Sequence, residues 1–335
     1  MENLIATSPG LFPLPDWAKS ELSSLKGHQK SDLITGDEPE EIERIYTEAR
    51  SEAITEQQNA GLDRVVEAQV RWDDMLAHPL TLNDAVETGG IVRYYDNNNF
   101  YRDPQISDEL SHSGDVAAEL TAATELIKET PLQTVMPGPY TLAQLSSNRF
   151  YENEKELLSA TASYLASEIA EFPDHETLYL LEPSLVSTPP NDELAPFVSE
   201  KLSEVSAASG GDVVIHTYFG ALNEKTYAYL MDATVDALGF DIVAGDRDKT
   251  LYNVTEYGVT QNVALGVADG QNTLVESPET LYERAEWFCS QVPATEFNDV
   301  YISTNTEPFY LPVNKHRQKL AALATATTIS GEVEV

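Results

Sequence analysis

An α/β fold, a closed (β/α)8 TIM barrel, is what this sequence predicts, and three observations carry it. Eight short strand-like runs recur along the chain, mostly separated by helical periodicities, the alternation that builds right-handed βα units. The clearest run, Val213-Val214-Ile215, is β-branched throughout, as expected of a strand buried on both faces. Finally, 335 residues suit one barrel-sized domain, and no internal repeat or low-complexity linker divides residues 1–335.

The elements follow in order. Residues 4–7 read as the first strand, ended by Ser8-Pro9-Gly10. Two prolines bracket Leu14, so Leu11-Phe12-Pro13-Leu14-Pro15 cannot be helical. A polar stretch, 20–38, leads to an amphipathic helix in which Ile42, Ile45, Tyr46, Ala49, Ala53 and Ile54 recur at three- and four-residue steps. Gly61 stands just past its end. The second strand is expected over 64–70, with Trp72-Asp73-Asp74 in the next loop and the acidic pair solvated. Residues 90–95 and 100–101 flank Asp96-Asn97-Asn98-Asn99, the pattern of an inserted β-hairpin near residues 90–101 with a turn-rich tip.

A helix over 115–128 precedes the third strand, 133–136, which Pro137-Gly138-Pro139 ends. Helices over 142–147 and 153–171 lead to the fourth strand, 178–181, followed by Glu182-Pro183. A helix over 192–205 comes before the fifth strand, which opens at Asp212, and a helical pattern runs from Asn223 to about Asp236. The sixth strand is placed at 241–244, the seventh at 263–267 and the eighth at 300–303. Ser277-Pro278 reads as a helix start, a serine cap followed by proline in the first turn. The last helix covers 313–328.

Composition narrows the function classes. Asp and Glu number 56 against 20 Lys and Arg, a formal charge of −36 spread along the chain. Such a surface repels nucleic acid and anionic membranes, so neither is an expected partner. It fits a salt-rich, halophilic cytoplasm, where self-repulsion is screened and high charge maintains solubility. A single cysteine, Cys289, excludes an internal disulfide framework and any multi-cysteine metal site within one chain. It lies in the apolar pattern Trp287-Phe288-Cys289 and reads as a small core residue. No apolar run is long enough to span a bilayer, and residues 1–10 suggest no export signal.

In a parallel barrel, side chains at the C-terminal ends of the strands face the ligand site. The fifth strand runs into His216-Thr217-Tyr218-Phe219-Gly220, which makes His216 the best placed of six histidines. The position suits equally well a core histidine hydrogen-bonded to backbone. His28, His78, His112, His175 and His316 show no ligand spacing and receive no role.

The strand ends together form an ordered set: Phe12-Pro13, Gly138-Pro139-Tyr140-Thr141, Glu182-Pro183, His216-Thr-Tyr-Phe-Gly, Gly266-Val-Ala-Asp-Gly-Gln-Asn and Leu311-Pro312. In that order they resemble the cobalamin-independent methionine synthase family over about residues 4 to 328. Enzymes of that family carry two related barrels. The C-terminal one holds zinc through a His, two Cys and a Glu and moves a methyl group from a methylated folate to homocysteine sulfur. The N-terminal one has lost the metal, and the Tyr-Phe-Gly and Asp-Gly-Gln-Asn versions found here look like that half.

Carried over by position, the resemblance makes His216 the metal histidine and Asp246 the metal carboxylate, while Tyr218 and Thr306 stand where the cysteines are expected. Asp269 and Glu182 become candidate catalytic carboxylates. Glu182, Gln69 and Asn272 become candidate substrate contacts, Gln69 replacing an expected glutamate. Leu11 and Leu181 replace an expected serine and aspartate. Residue chemistry alone leaves alternatives: Glu182 also suits a buried carboxylate accepting backbone hydrogen bonds, and Asp269 and Asn272 also suit a turn. Homocysteine must react as a thiolate, and bound zinc lowers a thiol's pKa. With both sulfur ligands gone, a tight zinc site is not expected. The implied role is methyl transfer to homocysteine beside a separate catalytic barrel, with a methylated folate as donor. The alternatives are a non-catalytic folate- or partner-binding barrel and a corrinoid- or coenzyme-M-type methyltransferase.

Overall fold

Eight parallel strands form one sheet in the order β1-β11-β10-β9-β8-β7-β5-β2, which is the order of the chain once the inserted strands are set aside. The computed structural model describes residues 3–24, 40–81, 83–95, 97, 99–292 and 297–329. The first third comprises β1 (Asn3–Ala6), α1 (Asp16–Ser24), α2 (Glu40–Ala60), β2 (Val65–Val66), α3 (Ala77–Thr81), β3 (Val86–Arg93) and β4 (Phe100–Ile106). The middle comprises α4 (Asp115–Thr124), β5 (Leu132–Pro137), α5 (Pro139–Gln144), β6 (Ser147–Asn148), α6 (Glu154–Ile169), β7 (Thr177–Leu181), α7 (Ser184–Ser187) and α8 (Ala195–Ser206). The rest comprises β8 (Asp212–His216), α9 (Glu224–Leu230), β9 (Ala237–Asp241), α10 (Arg247–Tyr257), β10 (Asn262–Ala268), α11 (Pro278–Gln291), β11 (Asp299–Thr304) and α12 (Val313–Thr327).

Strands β5, β7, β9 and β10 are buried along their whole length, because helices cover the outside and side chains fill the inside. The sheet curls until β1 approaches β2, where single hydrogen bonds replace a ladder. Asp63 and Arg64 N–H donate to the Ala6 carbonyl at 3.0 and 3.3 Å, and Ala6 N–H donates to Asp63 Oδ2 at 2.8 Å. Side chains brace this seam. Gln133 accepts from Thr7 Oγ1 at 2.7 Å and donates to the Ser8 carbonyl at 2.7 Å, linking β5 to the end of β1.

Two strands differ from expectation. The second covers only Val65–Val66, because the Gln57 amide takes both backbone groups of Val66 at 2.9 Å. Ala68 and Gln69 then turn left-handed, with φ of 81° and 50°, which no strand accommodates. The sixth is Ala237–Asp241 rather than 241–244. Asp241 Oδ1 folds forward to accept from Val243 and Ala244 N–H at 2.9 and 2.8 Å, turning the apolar Ile242-Val243-Ala244 into a loop. Helix ends shift by a few residues, most at α9, which stops at Leu230.

The expected hairpin is present and longer than predicted: β3 and β4 pair antiparallel from Val86↔Ile106 to Arg93↔Phe100. Residues 96 and 98 of its tip lie outside the described residues, as does His28. The short β6 adds a third strand alongside β4. Asp73 is exposed as expected. Asp74 is buried instead, accepting from Leu76 N–H at 2.9 Å and Arg102 N–H at 3.0 Å, so it ties the loop after β2 to the hairpin. Cys289 is partly buried and packs against the core. Among the described residues, no helix is long and apolar enough to cross a membrane.

Candidate functional site

The C-terminal ends of β8, β9, β10 and β11 meet on one residue, Asn305. Its carbonyl oxygen lies 2.9 Å from His216 Nε2 at the end of β8. Its amide Nδ2 donates to both oxygens of Asp241 at the end of β9, at 3.1 and 3.2 Å. Its Oδ1 accepts from Gly270 N–H at 2.9 Å, and its own N–H donates to the Ala268 carbonyl at 2.8 Å. Every polar group of Asn305 is thus used to fasten the floor of the barrel mouth.

His216 is fully buried, with its ring tilted between Tyr179 and Tyr218 at 5.8 and 5.7 Å. A carbonyl can only accept, so Nε2 carries the proton and Nδ1 is the bare nitrogen. Among the described residues Nδ1 has no hydrogen-bond partner. It packs onto Gly239, where an added Cβ would lie 2.5 Å from it. Burial holds the imidazole below its usual pKa, which favours the neutral ring.

Above this floor the mouth is filled by aromatic rings. Tyr94 and Tyr95, just past β3, reach across from the hairpin. The Tyr94 hydroxyl lies 2.9 Å from the Tyr218 hydroxyl, and the Tyr95 hydroxyl lies 2.5 Å from Ser184 Oγ. Phe219 packs edge-on against Tyr94, Tyr95 and Tyr218 at 5.8, 5.7 and 4.7 Å. Tyr95 and Phe219 both adopt left-handed backbone conformations, with φ of 52° and 68°, each costing about 1–2 kcal/mol that the ring packing must offset. Asp241 Oδ2 fixes the second turn by accepting from Phe219 N–H at 3.1 Å.

Glu307 sits beside this cluster, its carboxyl pushed up to about 7 by burial, with Tyr218 as the polar neighbour that partly opposes the shift. Among the described residues its Oε2 has no hydrogen-bond partner. The void there, walled by Glu307, Tyr94, Tyr101, Tyr310 and Leu11, measures about 20 Å³, room for a single water. A larger cleft of about 560 Å³ opens beside the mouth, lined by Phe12, Leu14, Tyr46, Gln69, Arg71 and Trp72 among others. There the Arg71 guanidinium lies 4.8 Å over the Tyr46 ring, a cation–π contact.

The sequence-derived candidates separate into two groups. His216, Tyr218, Thr306, Glu182 and Gln69 are all buried, on the floor and rim of the mouth. Glu182 is fully committed within the chain. Its Oε1 accepts from Tyr140 N–H at 2.9 Å, and its Oε2 accepts from Thr141 N–H at 2.7 Å and Thr141 Oγ1 at 2.6 Å. These are first-turn groups of α5, so the carboxylate caps that helix from a neighbouring strand end. Burial raises the Glu182 carboxyl to about 7 against these bonds. Gly138 is required by the approach, since a Cβ there would lie 2.2 Å from Glu182 Oε1. Gln69 Oε1 accepts from Leu11 N–H at 2.7 Å and pins the loop after β1. Thr306 lies under Gly270, its Oγ1 2.6 Å from where a Cβ would stand.

The second group lies outside the cluster. Asp246 is exposed and caps α10 by accepting from Lys249 N–H at 3.1 Å. Asp241 is instead the carboxylate that the fold sets at the end of the sixth barrel strand. Asn272 is exposed and accepts from Leu274 N–H at 2.9 Å. Asp269 is partly buried in a turn. It accepts from Gln271 N–H at 2.9 Å and donates its own N–H to Glu276 Oε1 at 2.8 Å, and Glu276 is itself paired with the buried Lys319 at 2.6 Å. Sequence reasoning missed Asn305, Asp241 and the hairpin tyrosines. Asp241 was readable only once strand six was correctly placed.

Comparison with known proteins accords with this geometry. The model of a family described as cobalamin-independent synthase, N-terminal domain, matches residues 83–287. A methionine synthase from Saccharolobus islandicus (strain Y.N.15.51 / Yellowstone #2) is 24% identical over 279 residues, 82% of this chain and 80% of that one. Another from Sulfolobus acidocaldarius is 22% identical over 287 residues, 84% and 79%. Among solved structures, a B12-independent methionine synthase from Shewanella sp. W3-18-1 in complex with selenomethionine superposes with a TM-score of 0.78 at 16% identity, covering 98% of this chain and 97% of that one. A putative vitamin-B12 independent methionine synthase from Listeria monocytogenes gives 0.73 at 13% identity, covering 99% of each. At these identities the structural likeness establishes the fold.

Proposed function

The chain belongs to the cobalamin-independent synthase N-terminal-domain family, and from that premise we propose that it is a component of cobalamin-independent methionine synthesis that does its work without a metal at the barrel mouth. It acts beside a separately encoded catalytic barrel, which transfers a methyl group from a methylated folate to homocysteine. The observation that carries this reading is the Tyr94–Tyr218 hydroxyl pair, which closes the mouth where the family's metal-bearing half would hold zinc.

The donor set does not fit that ion. Zinc sites draw on thiolate, imidazole and carboxylate ligands arranged around one point. Here His216 Nε2 is taken by the Asn305 carbonyl and its Nδ1 faces Gly239. The positions expected for cysteine hold Tyr218 and Thr306, and Asp246 is turned out to solvent. The void of about 20 Å³ beside Glu307 has no room for an amino-acid substrate. Among the described residues, the mouth therefore offers no ligand set that would lower the homocysteine thiol pKa through a bound zinc ion.

The cleft of about 560 Å³ is the better ligand site. Arg71 and Tyr46 line it with a cation and an aromatic ring, which suit a flat pterin and an anionic glutamyl tail. The same closed mouth favours a second reading, a barrel that binds methylated folate or its partner and does no chemistry. Calorimetry with a methylated folate, on the unaltered chain and on Arg71→Met, tests the cleft, and co-purification with a zinc-bearing barrel tests the partnership. Loss of folate affinity in the variant and a stable complex support the proposal. Absence of both interactions removes it.

A further inference from the structure

Away from the mouth, three ionisable side chains converge. His78 stands on α3, while Asp115 and Glu119 lie on α4, at the i, i+4 spacing that puts both carboxylates on one helix face. His78 Nε2 is 3.6 Å from Glu119 Oε1 and 3.9 Å from Asp115 Oδ2. One potential ligand atom from each falls within 4.8 Å of the other two. The residues are only 9%, 3% and 1% exposed in chain order. Yet among the described residues His78 Nε2 and Glu119 Oε1 have no hydrogen-bond partner, a state that buried polar atoms rarely occupy without reason. Trp72 orients both: its ring stacks on His78 at 5.1 Å, and its Nε1–H donates to the other Glu119 oxygen, Oε2, at 2.8 Å. Nε2 and Oε1 are therefore aimed into the same space.

We propose that His78, Asp115 and Glu119 bind one divalent transition-metal ion. Ligand atoms held about 2.0–2.2 Å from a common ion stand roughly 3.0–3.6 Å apart, close to the 3.6 and 3.9 Å seen from His78 Nε2, with the two carboxylate oxygens within 4.8 Å of each other. One imidazole and two carboxylates make a borderline-to-hard donor set, which suits Mn²⁺, Fe²⁺ or Zn²⁺. The Trp72 bond holds its carboxylate as outer hydrogen bonds commonly do at metal centres.

The location gives the ion a task. The hairpin leaves the barrel after α3 and returns just before α4. An ion bridging the two helices clasps the root of the element that carries Tyr94 and Tyr95 over the mouth. This inference is independent of the proposed function.

The full-length chain, stripped with chelator and titrated with Mn²⁺ alone in concentrated salt that screens the acidic surface, tests it. Electron paramagnetic resonance counts bound ions, and its pulsed form detects nitrogen coupling from a coordinated imidazole. One saturable ion per chain with nitrogen coupling is expected. His78→Phe keeps a ring on Trp72 but offers no ligand. It should abolish the coupling and weaken binding beyond the roughly 10- to 100-fold typical of groups that merely orient a ligand. Asp115→Asn, a milder change, should weaken binding while retaining the coupling. Mn²⁺ binding without nitrogen coupling in the unaltered chain, or coupling that persists in His78→Phe, overturns the proposal and leaves a histidinium–carboxylate cluster only.

Discussion

His216 Nε2 donates to the backbone carbonyl of Asn305 at 2.9 Å, so the histidine at the centre of the mouth is held by the chain itself. Nitrogen-15 spectra should show the neutral tautomer protonated at Nε2, unchanged from pH 8 down to below the usual histidine pKa, because burial lowers that value. A ring that titrates near pH 6.5 would contradict this.

The amide of Asn305 joins Asp241 to Gly270. Asn305→Ala leaves a buried carboxylate and a buried N–H short of partners. It should cost about 2–6 kcal/mol, at 1–3 kcal/mol for each unsatisfied group, measurable by denaturant titration in concentrated salt. A change below about 0.5 kcal/mol, the size of a neutral surface substitution, would remove Asn305 from this role.

The hydroxyl pair of Tyr94 and Tyr218 should behave as a coupled unit. Either Tyr→Phe change alone strands a buried hydroxyl and should cost about 1–2 kcal/mol, while the double change should cost less than the sum. Strict additivity in this double-mutant cycle would mean that the hairpin does not close onto β8 through these hydroxyls.

Glu307 gives the fold a pH dependence of defined sign. Its carboxyl is raised to about 7 in the folded chain, above the roughly 4.3 of an unfolded glutamate. The unfolded chain therefore ionises first, and the stability linked to this group is fully present below about pH 4 and lost as pH rises through 7. Glu307→Gln should flatten that part of the slope, on the order of 3 kcal/mol between pH 4.5 and 8. Melting curves of both chains across this range that stay parallel would refute the assignment.

The barrel was legible because its strands announce themselves by composition: Val213-Val214-Ile215 has no good alternative to a buried strand. Strand six was not, because Gly239 breaks its apolar run while Ile242-Val243-Ala244 imitates one. Only the Asp241 side chain, folding onto the next turn, decides where the strand ends. That one displacement also moved the candidate carboxylate from Asp241 to Asp246. Long-range pairs such as Tyr94 with Tyr218, and His78 with Asp115 and Glu119, leave no periodic trace. The four-residue spacing of Asp115 and Glu119 on an expected helix was the one local signal of the second cluster.

The central claim is that this barrel contributes to methyl transfer without performing it alone. The most direct test is homocysteine methylation from a methylated folate in concentrated salt, run with this chain alone, with a zinc-bearing catalytic barrel alone, and with both. The account predicts no turnover by this chain alone and faster turnover by the pair than by the catalytic barrel alone. Turnover by this chain alone would contradict it.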